Sequence, residues 1–284
     1  MPPKPRIAIV GPGRLGKALA MGLRQAGYRL SEIVSRSGSS SRGKARSLAQ
    51  KARAARITNV GATLTADLVW ICVPDREIGR VARQLARNLD WKDKTVFHSS
   101  GALSSDELTV LRRRGTAVAS VHPLMTFVHG SVPSLEGVPF ALEGDDAAVR
   151  QARGIVRNLG GKAFSISRDR KSLYHAWGGF SSPLLIALLV TAERVAQAAG
   201  VSTADARRKM LPIVRQTLAN YASLGPARAF SGPIVRGDAQ VVRRHMRVLQ
   251  KIPEARQVYL ALAQAGVRYL PTRNRKGLEK VLKA

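Results

Sequence analysis

Residues 6–10 of this 284-residue chain form a short apolar run, RIAIV, and the next six are Gly11-Pro12-Gly13-Arg14-Leu15-Gly16. KALAMGLRQAGY follows, and Leu15, Ala18, Leu19, Gly22 and Leu23 recur at helical spacing. G-x-G-x-x-G alone is a weak pattern, because glycine-rich turns are common; between a strand and a helix it becomes specific. Gly11 permits the tight turn, Gly13 lets a pyrophosphate approach the backbone, and Gly16 lets the helix close on the sheet. The free N–H groups at the helix start supply positive potential for a phosphate. Gly11, Pro12, Gly13, Arg14, Leu15 and Gly16 are therefore the expected cofactor-binding residues.

The alternation continues: strand over 29–37, helix over 43–55, buried strand over 67–74, helix over 76–89, strand over 94–100. A Ser104/Glu107 capping box opens a helix over 104–115, and strands follow at 117–122 and 137–144. This pattern predicts an α/β fold with a doubly wound, mostly parallel sheet. Beyond residue 167 helices are predicted over 169–199, 203–223, 238–249 and 254–265, with the break GPARAFSGPIVRGD between the second and third. Gly200 and Ser202 predict a helix stop and a new N-cap. The expected division is a nucleotide-binding domain over 1–167 and an all-α substrate and dimerisation domain over 168–284.

The apolar segment AWGGFSSPLLIALLVTA, 17 residues long, falls short of the ~20 that span a bilayer and contains two glycines and a proline. It predicts a buried helix with more apolar surface than a small helical domain covers, and hence a homodimer rather than a membrane partner. MPPKPR lacks the apolar core of a secretory signal. The single cysteine, Cys72 in DLVWICVP, excludes a disulfide framework and predicts a packed thiol in a cytoplasmic protein.

The net charge of +29 could attract nucleic acid, but the arginines are spread along the chain, aromatics are 5%, and no nucleic-acid-reading motif is present. An arginine-rich solvated surface that also draws in an anionic cofactor is the expectation, with no specific nucleic-acid partner. The basic tail TRNRKGLEKVLKA reads as a peripheral helix. The five histidines, His98, His122, His129, His175 and His245, have no metal-ligand spacing.

At the end of the second strand an NAD-binding chain carries a carboxylate for the ribose 2′-hydroxyl. Here Ser35-Arg36-Ser37 stands instead. A guanidinium flanked by hydroxyls binds a 2′-phosphate, so NADP is the expected cofactor. His122 closes an apolar strand, and Pro123 biases it towards extended backbone, which leaves the imidazole at the carboxyl edge of the sheet. An imidazole titrating near ~6.5 suits proton transfer coupled to hydride transfer. Lys171 and His175 lie one helical turn apart on one face. His98 fits either a site or strand packing, and Arg236 either a substrate carboxylate or a plain turn.

HSSGAL, HPLMTF, KSLYHA and GPIVRGD together resemble a bacterial family in which a Rossmann-like domain is joined to a C-terminal domain of unknown function. That family resembles the NADP-linked reductases with a 6-phosphogluconate-dehydrogenase-like helical domain. Among them are 3-hydroxyacid dehydrogenases, pyrroline-5-carboxylate reductase, prephenate dehydrogenase and deazaflavin-dependent NADP reductase. Similarity to prephenate dehydrogenases implies that Ser99 or Ser100, with His122, holds a substrate hydroxyl beside the nicotinamide. LMTFVHGS replaces those enzymes' glycine-rich segment, so prephenate itself is not implied. Lys171-Ser172-Leu173-Tyr174-His175 is similar to the Lys-x-x-Asn-Asn or Lys-x-x-His-Asn signature of 3-hydroxyacid and 6-phosphogluconate dehydrogenases. The lysine there polarises the reacting oxygen or shuttles its proton; Tyr174 and His175 stand in place of the other residues.

The resemblance implies an NADP-dependent oxidoreductase that transfers a hydride to or from a small carbonyl, imine or hydroxy acid. Its catalytic residues would be His122, Lys171, Ser100 and His175, with Lys171 and His122 contributed by two different domains. The alternatives are a catalytically inactive dinucleotide-binding or sensing protein and a basic protein associated with nucleic acid.

Overall fold

The computed structural model of the chain describes residues 3–35, 39–87 and 91–283. Eight strands form one sheet: β1 (Ile7–Val10), β2 (Leu30–Ser35), β3 (Arg56–Asn59), β4 (Leu68–Ile71), β5 (Thr95–His98), β6 (Ala117–Pro123), β7 (Pro139–Gly144) and β8 (Lys162–Ser165). Their order is β3-β2-β1-β4-β5-β6-β7-β8. All neighbours are parallel except β6 and β7. The expected mostly parallel, doubly wound sheet is present. The chain winds outward from β1 to β3 and returns through β4, so the strand order reverses between β1 and β4. In open α/β sheets that point, at the carboxyl ends, is where ligands bind.

Helices cover both faces, which is why β1, β2, β4 and β5 are buried along their whole length. They are α1 (Arg14–Gln25), α2 (Ser39–Ala52), α3 (Asp75–Ala86), α4 (Thr109–Arg112) and α5 (Asp146–Asn158). On one face Leu19 and Leu23 of α1, Leu48 of α2 and Ile155 of α5 pack on Ile7, Trp70, Phe97 and Phe140. On the other, Ile78, Val81 and Leu85 of α3 and Leu111 of α4 pack on Val10, Val69, Ile71 and Val96.

Three elements differ from the sequence reading. β3, RITN, is a largely exposed edge strand without an apolar alternation, so periodicity misses it. α5 buries Ala148, Ala152, Ile155 and Val156, a true helical stripe diluted by alanine. The capping box over 104–115 gives way to a 3₁₀ turn, Ser105–Leu108, because the Ser104 hydroxyl accepts from the Asp106 N–H instead of reaching residue 107.

The chain divides into two compact units, residues 1–179 and 180–284. The first runs past the expected boundary at 167/168 because α6 (Lys171–Ser181) buries Lys171 and Tyr174. The single helix expected over 169–199 is broken at Ser182, which leaves helical geometry ahead of Pro183, the first residue of α7 (Pro183–Ala198).

The second unit holds α7, α8 (Thr203–Leu224), α9 (Pro226–Ala229), α10 (Pro233–Arg236), α11 (Ala239–Val248), α12 (Pro253–Tyr269) and α13 (Arg275–Lys283). Gly200 takes positive φ behind α7, and the Ser202 hydroxyl caps α8 through the Asp205 N–H, as read from the sequence. Val242 and Met246 of α11, Ala263 and Val267 of α12, and Leu278, Val281 and Leu282 of α13 make one core. The basic tail is therefore a docked helix, because its three apolar residues share one face.

α7 departs from expectation: only Glu193 of its residues is buried, and Ile186 is 59% exposed. By length and composition Arg168–Ala198 is apolar enough to cross a membrane, with 6% of its most apolar window covered. The segment read as a buried helix is uncovered within the single chain, since its apolar residues lie on all sides and α8 and α12 shield only part of them.

Candidate functional site

The glycine-rich loop separates into two kinds of glycine. Gly11 has φ +103°, and a Cβ on it would stand 2.8 Å from the Cys72 carbonyl oxygen. A Cβ on Gly16 would lie 2.1 Å from the Gly11 carbonyl oxygen. Both are demanded by the chain's own packing. A Cβ on Gly13 would meet nothing within 4 Å. Nothing in the chain requires Gly13, and the open space beside it is what a closely approaching phosphate needs.

Gly13 is also the N-cap of α1, with no side chain capping it and no acidic residue in the first turn, so no carboxylate competes for the free N–H groups. Pro12 is half-buried, Arg14 is exposed, and Leu15 packs against the core. Ser35 ends β2 and is buried. Arg36 and Ser37 lie outside the described residues. The one acidic residue of β2, Glu32, accepts from Arg56 Nη2 (3.0 Å), the Thr65 N–H (2.7 Å) and the Thr65 hydroxyl (2.7 Å). Those bonds hold its carboxylate below the usual range although burial pushes it up.

Three strand ends and Ser120 of β6 stand in one row: Val10 beside Ile71, Ile71 beside His98, and His98 beside Ser120. Three strand spacings, roughly 14 Å, therefore separate the glycine loop from the second cluster. His98 is fully buried there and its tautomer is determined by its neighbours. Nδ1 accepts the Ser100 N–H (3.1 Å), so Nε2 carries the proton and donates to the Ser104 carbonyl (2.9 Å). Burial holds its pKa down to about 4. Of its two readings, packing is the one the structure realises.

The Ser100 hydroxyl donates to the Asp75 carboxylate (2.9 Å) and accepts the N–H groups of Ala102 (3.2 Å) and Leu103 (2.9 Å). It thus shapes the turn after β5, while its carbonyl points to Lys171. Ser99 accepts from the Trp70 indole at 2.8 Å. Cys72 is a packed thiol whose pKa burial pushes up.

Lys171 is the unusual group. Its side chain is 1% exposed, and Nζ donates to the Ser100 carbonyl (3.0 Å) and the Ser120 hydroxyl (2.5 Å). Ser120 in turn donates to the same carbonyl at 3.1 Å. Among the described residues no carboxylate lies within ion-pair distance of Nζ. Burial pulls its pKa down to about 8, against an opposing pull from Glu143 and Asp75. An ammonium close to neutrality can both hold and release a proton.

Beside it, His122 Nδ1 and the Tyr174 hydroxyl share a hydrogen bond of 2.6 Å. Burial first, and then the neighbouring Lys171, His175 and His98, hold His122 down to about 3; burial raises Tyr174. The expectation of an imidazole titrating near neutrality is therefore corrected: His122 is neutral, and Lys171 is the group that titrates near neutral pH. His175 is exposed, its ring 6.2 Å from that of His122. Both rings crowd Gly101, where a Cβ would stand 2.6 Å from His175 and 2.9 Å from His122.

Lys171, Tyr174 and His175 thus come from α6 within the first unit, not from a second domain. Ser120 escaped the sequence reading, which named Tyr174 within the lysine signature and gave it no role. The available signals were the two-residue spacing from His122, which puts Ser120 on the same face of β6, and the i+3 spacing from Lys171. In the second unit Arg236 pairs with Asp238 at 2.9 Å, and His245 with the Tyr259 hydroxyl at 3.0 Å.

Residues 1–123 match the family model of a Rossmann-like domain, and residues 138–265 that of a domain of unknown function (DUF2520). No curated protein matches the sequence. Among solved structures, protein TM1727 from Thermotoga maritima is 25% identical with a TM-score of 0.74, covering 98% of both chains. A reductive aminase from Aspergillus terreus, in complex with NADPH and ethyl-5-oxohexanoate, is 16% identical with a TM-score of 0.66, covering 98% of this chain and 99% of its own. An imine reductase from a Pseudomonas species is 19% identical with a TM-score of 0.63, covering 99% and 100%. At these identities the latter two speak for the fold. The chain joins a Rossmann-like domain to a C-terminal domain of unknown function (DUF2520).

Proposed function

We propose that this protein is a cytoplasmic NADP-dependent oxidoreductase acting on a small carbonyl, imine or hydroxy acid. The observation that carries the reading is Lys171. It is a buried ammonium whose pKa is lowered to about 8, hydrogen-bonded to Ser120 in the strand row that begins beside a glycine loop open to a phosphate. Bound NADPH would supply the hydride in reduction, and bound NADP+ would accept it in oxidation. Lys171 holds a proton where the reduced oxygen or nitrogen needs one, and Ser120 and the Ser100 carbonyl orient its Nζ. The neutral His122–Tyr174 pair offers a hydroxyl and an imidazole to position the substrate. In the oxidative direction neutral Lys171 accepts the proton. Support from other proteins lies in similar folds described as reductive aminase and imine reductase. The test is NADPH consumption with a panel of keto acids, aldehydes and cyclic imines. Tight binding with no turnover on any of them favours a dinucleotide sensor.

Preference for NADP rests on Ser35-Arg36-Ser37 and on Glu32, whose carboxylate is held by Arg56 and Thr65. Calorimetric titration is expected to show NADPH binding more tightly than NADH, with Arg36→Ala removing most of the difference. Equal affinities in the unmodified protein contradict the preference.

We further propose a homodimer, supported by apolar side chains exposed along α7 and α8, among them Leu184, Ile186, Val190, Ile213 and Leu218. Light scattering at micromolar concentration is expected to give twice the monomer mass; a clean monomer contradicts it.

A further inference from the structure

The site described so far uses little of a charge balance of 47 basic to 18 acidic residues. On α5, Arg150, Arg153 and Arg157 recur at helical spacing and are exposed. They rim a cavity of about 430 Å³ whose floor is Gly154, Gly161 and Ala163. The floor is open at Gly154, which has no side chain to fill it. A Cβ on Gly154 would meet nothing within 4 Å, while one on Gly161 would stand 2.9 Å from the Phe140 ring. Arg153 is anchored to the edge strand β8, donating to the Ala163 carbonyl (3.3 Å) and the Ser165 hydroxyl (3.0 Å). Lys162 is exposed on the same strand.

Among the described residues none of the three guanidinium groups pairs with a carboxylate. Arg112 and Arg168 of the same unit pair with Asp145 and Glu143. Like charges three and four residues apart on a helix repel. Arg150 and Arg157 thus flank the anchored Arg153 without a carboxylate partner, and an anion joining the three would relieve their repulsion.

We propose that this cavity binds a small, multiply charged phosphate anion of the tripolyphosphate type. A single carboxylate would leave most of the positive charge unmatched. Several phosphates in one small ligand match it, and guanidinium forks engage their oxygens in pairs. The volume is of the size that small-ligand sites have. Three guanidinium groups gathered around one concavity suit a compact anion better than the extended backbone of a nucleic acid. This site is independent of the glycine loop at the start of α1.

The experiment is calorimetric titration of sodium tripolyphosphate into the full chain at physiological ionic strength, where diffuse surface attraction is screened. Arg150→Ala/Arg157→Ala removes two forks and keeps Arg153, which ties down β8. Arg208→Ala/Lys209→Ala on α8 removes the same charge elsewhere. The first variant is expected to bind about 10-fold more weakly or worse, and the second to bind as the unmodified protein does. Arg150→Gln/Arg157→Gln repeats the test should the alanine pair fold poorly. A parallel titration with a short DNA duplex is expected to weaken alike in both variants. The proposal is overturned if the unmodified protein shows no saturable binding. It is also overturned if both variants lose tripolyphosphate equally, or if the α5 variant loses DNA and not tripolyphosphate.

Discussion

Lys171→Met is expected to lower turnover by about 10²–10⁴-fold while leaving NADPH affinity nearly unchanged, because it deletes the proton and not the phosphate cradle. His122→Asn should act in the same direction. If the proposed function holds, the rate of reduction by the unmodified protein should fall as pH rises through about 8, where Lys171 would lose the proton assigned to it. Stability should move the other way. Below pH 8 both folded and unfolded chains carry the charged amine, and the folded state bears the penalty of burying it. Between about 8 and about 10.4 the unfolded chain binds more protons, so stability climbs with pH, by about 3 kcal/mol in all. In Lys171→Met that climb disappears. Urea unfolding across this pH range measures it, alongside single-turnover kinetics. A variant with full turnover makes Lys171 a structural cation.

Gly13→Asp and Gly16→Ala are expected to fail for opposite reasons. A side chain at Gly13 meets open space, so the unfolding midpoint should hold. The carboxylate, however, fills the phosphate position and satisfies the N–H groups of α1, and NADPH binding should fall below detection. At Gly16 the added methyl collides with the Gly11 carbonyl oxygen, which is backbone and cannot rotate away. That strain costs about 3 kcal/mol and lowers the midpoint by several degrees. Thermal unfolding and calorimetric titration of the two variants separate the effects. A Gly13 variant that still binds NADPH removes the loop from the cofactor site.

Much of the first unit was legible from local pattern. RIAIV with its glycine turn, DLVWIC and KTVFH are apolar runs flanked by helical stripes, and each became a central strand. β3 was not legible, because an edge strand exposed to solvent has no apolar signature. Neither was the break at Ser182, since AWGGFSSPLLIALLVTA is apolar on both sides of it. His122 and Lys171 lie in one cluster, but burial lowers the pKa of both from their ordinary values. Sequence supplies a side chain's ordinary pKa, and burial supplies the shift.

The sequence by itself determined the alternation of the central strands with their helices, the loop at residues 11–16 and the absence of a carboxylate at Ser35-Arg36-Ser37. Those features depend on residues within one or two turns of each other. Tertiary structure alone decided that α6 belongs with the sheet, that Ser100 offers its carbonyl and commits its hydroxyl to Asp75, and that Tyr174 meets His122. It also decided that Lys171 sits without a paired carboxylate. Lys171 and Ser100 are 71 residues apart, and His122 and Tyr174 are 52 apart. No local periodicity encodes such contacts; they exist once the buried faces of β5, β6 and α6 have closed on one another and excluded water.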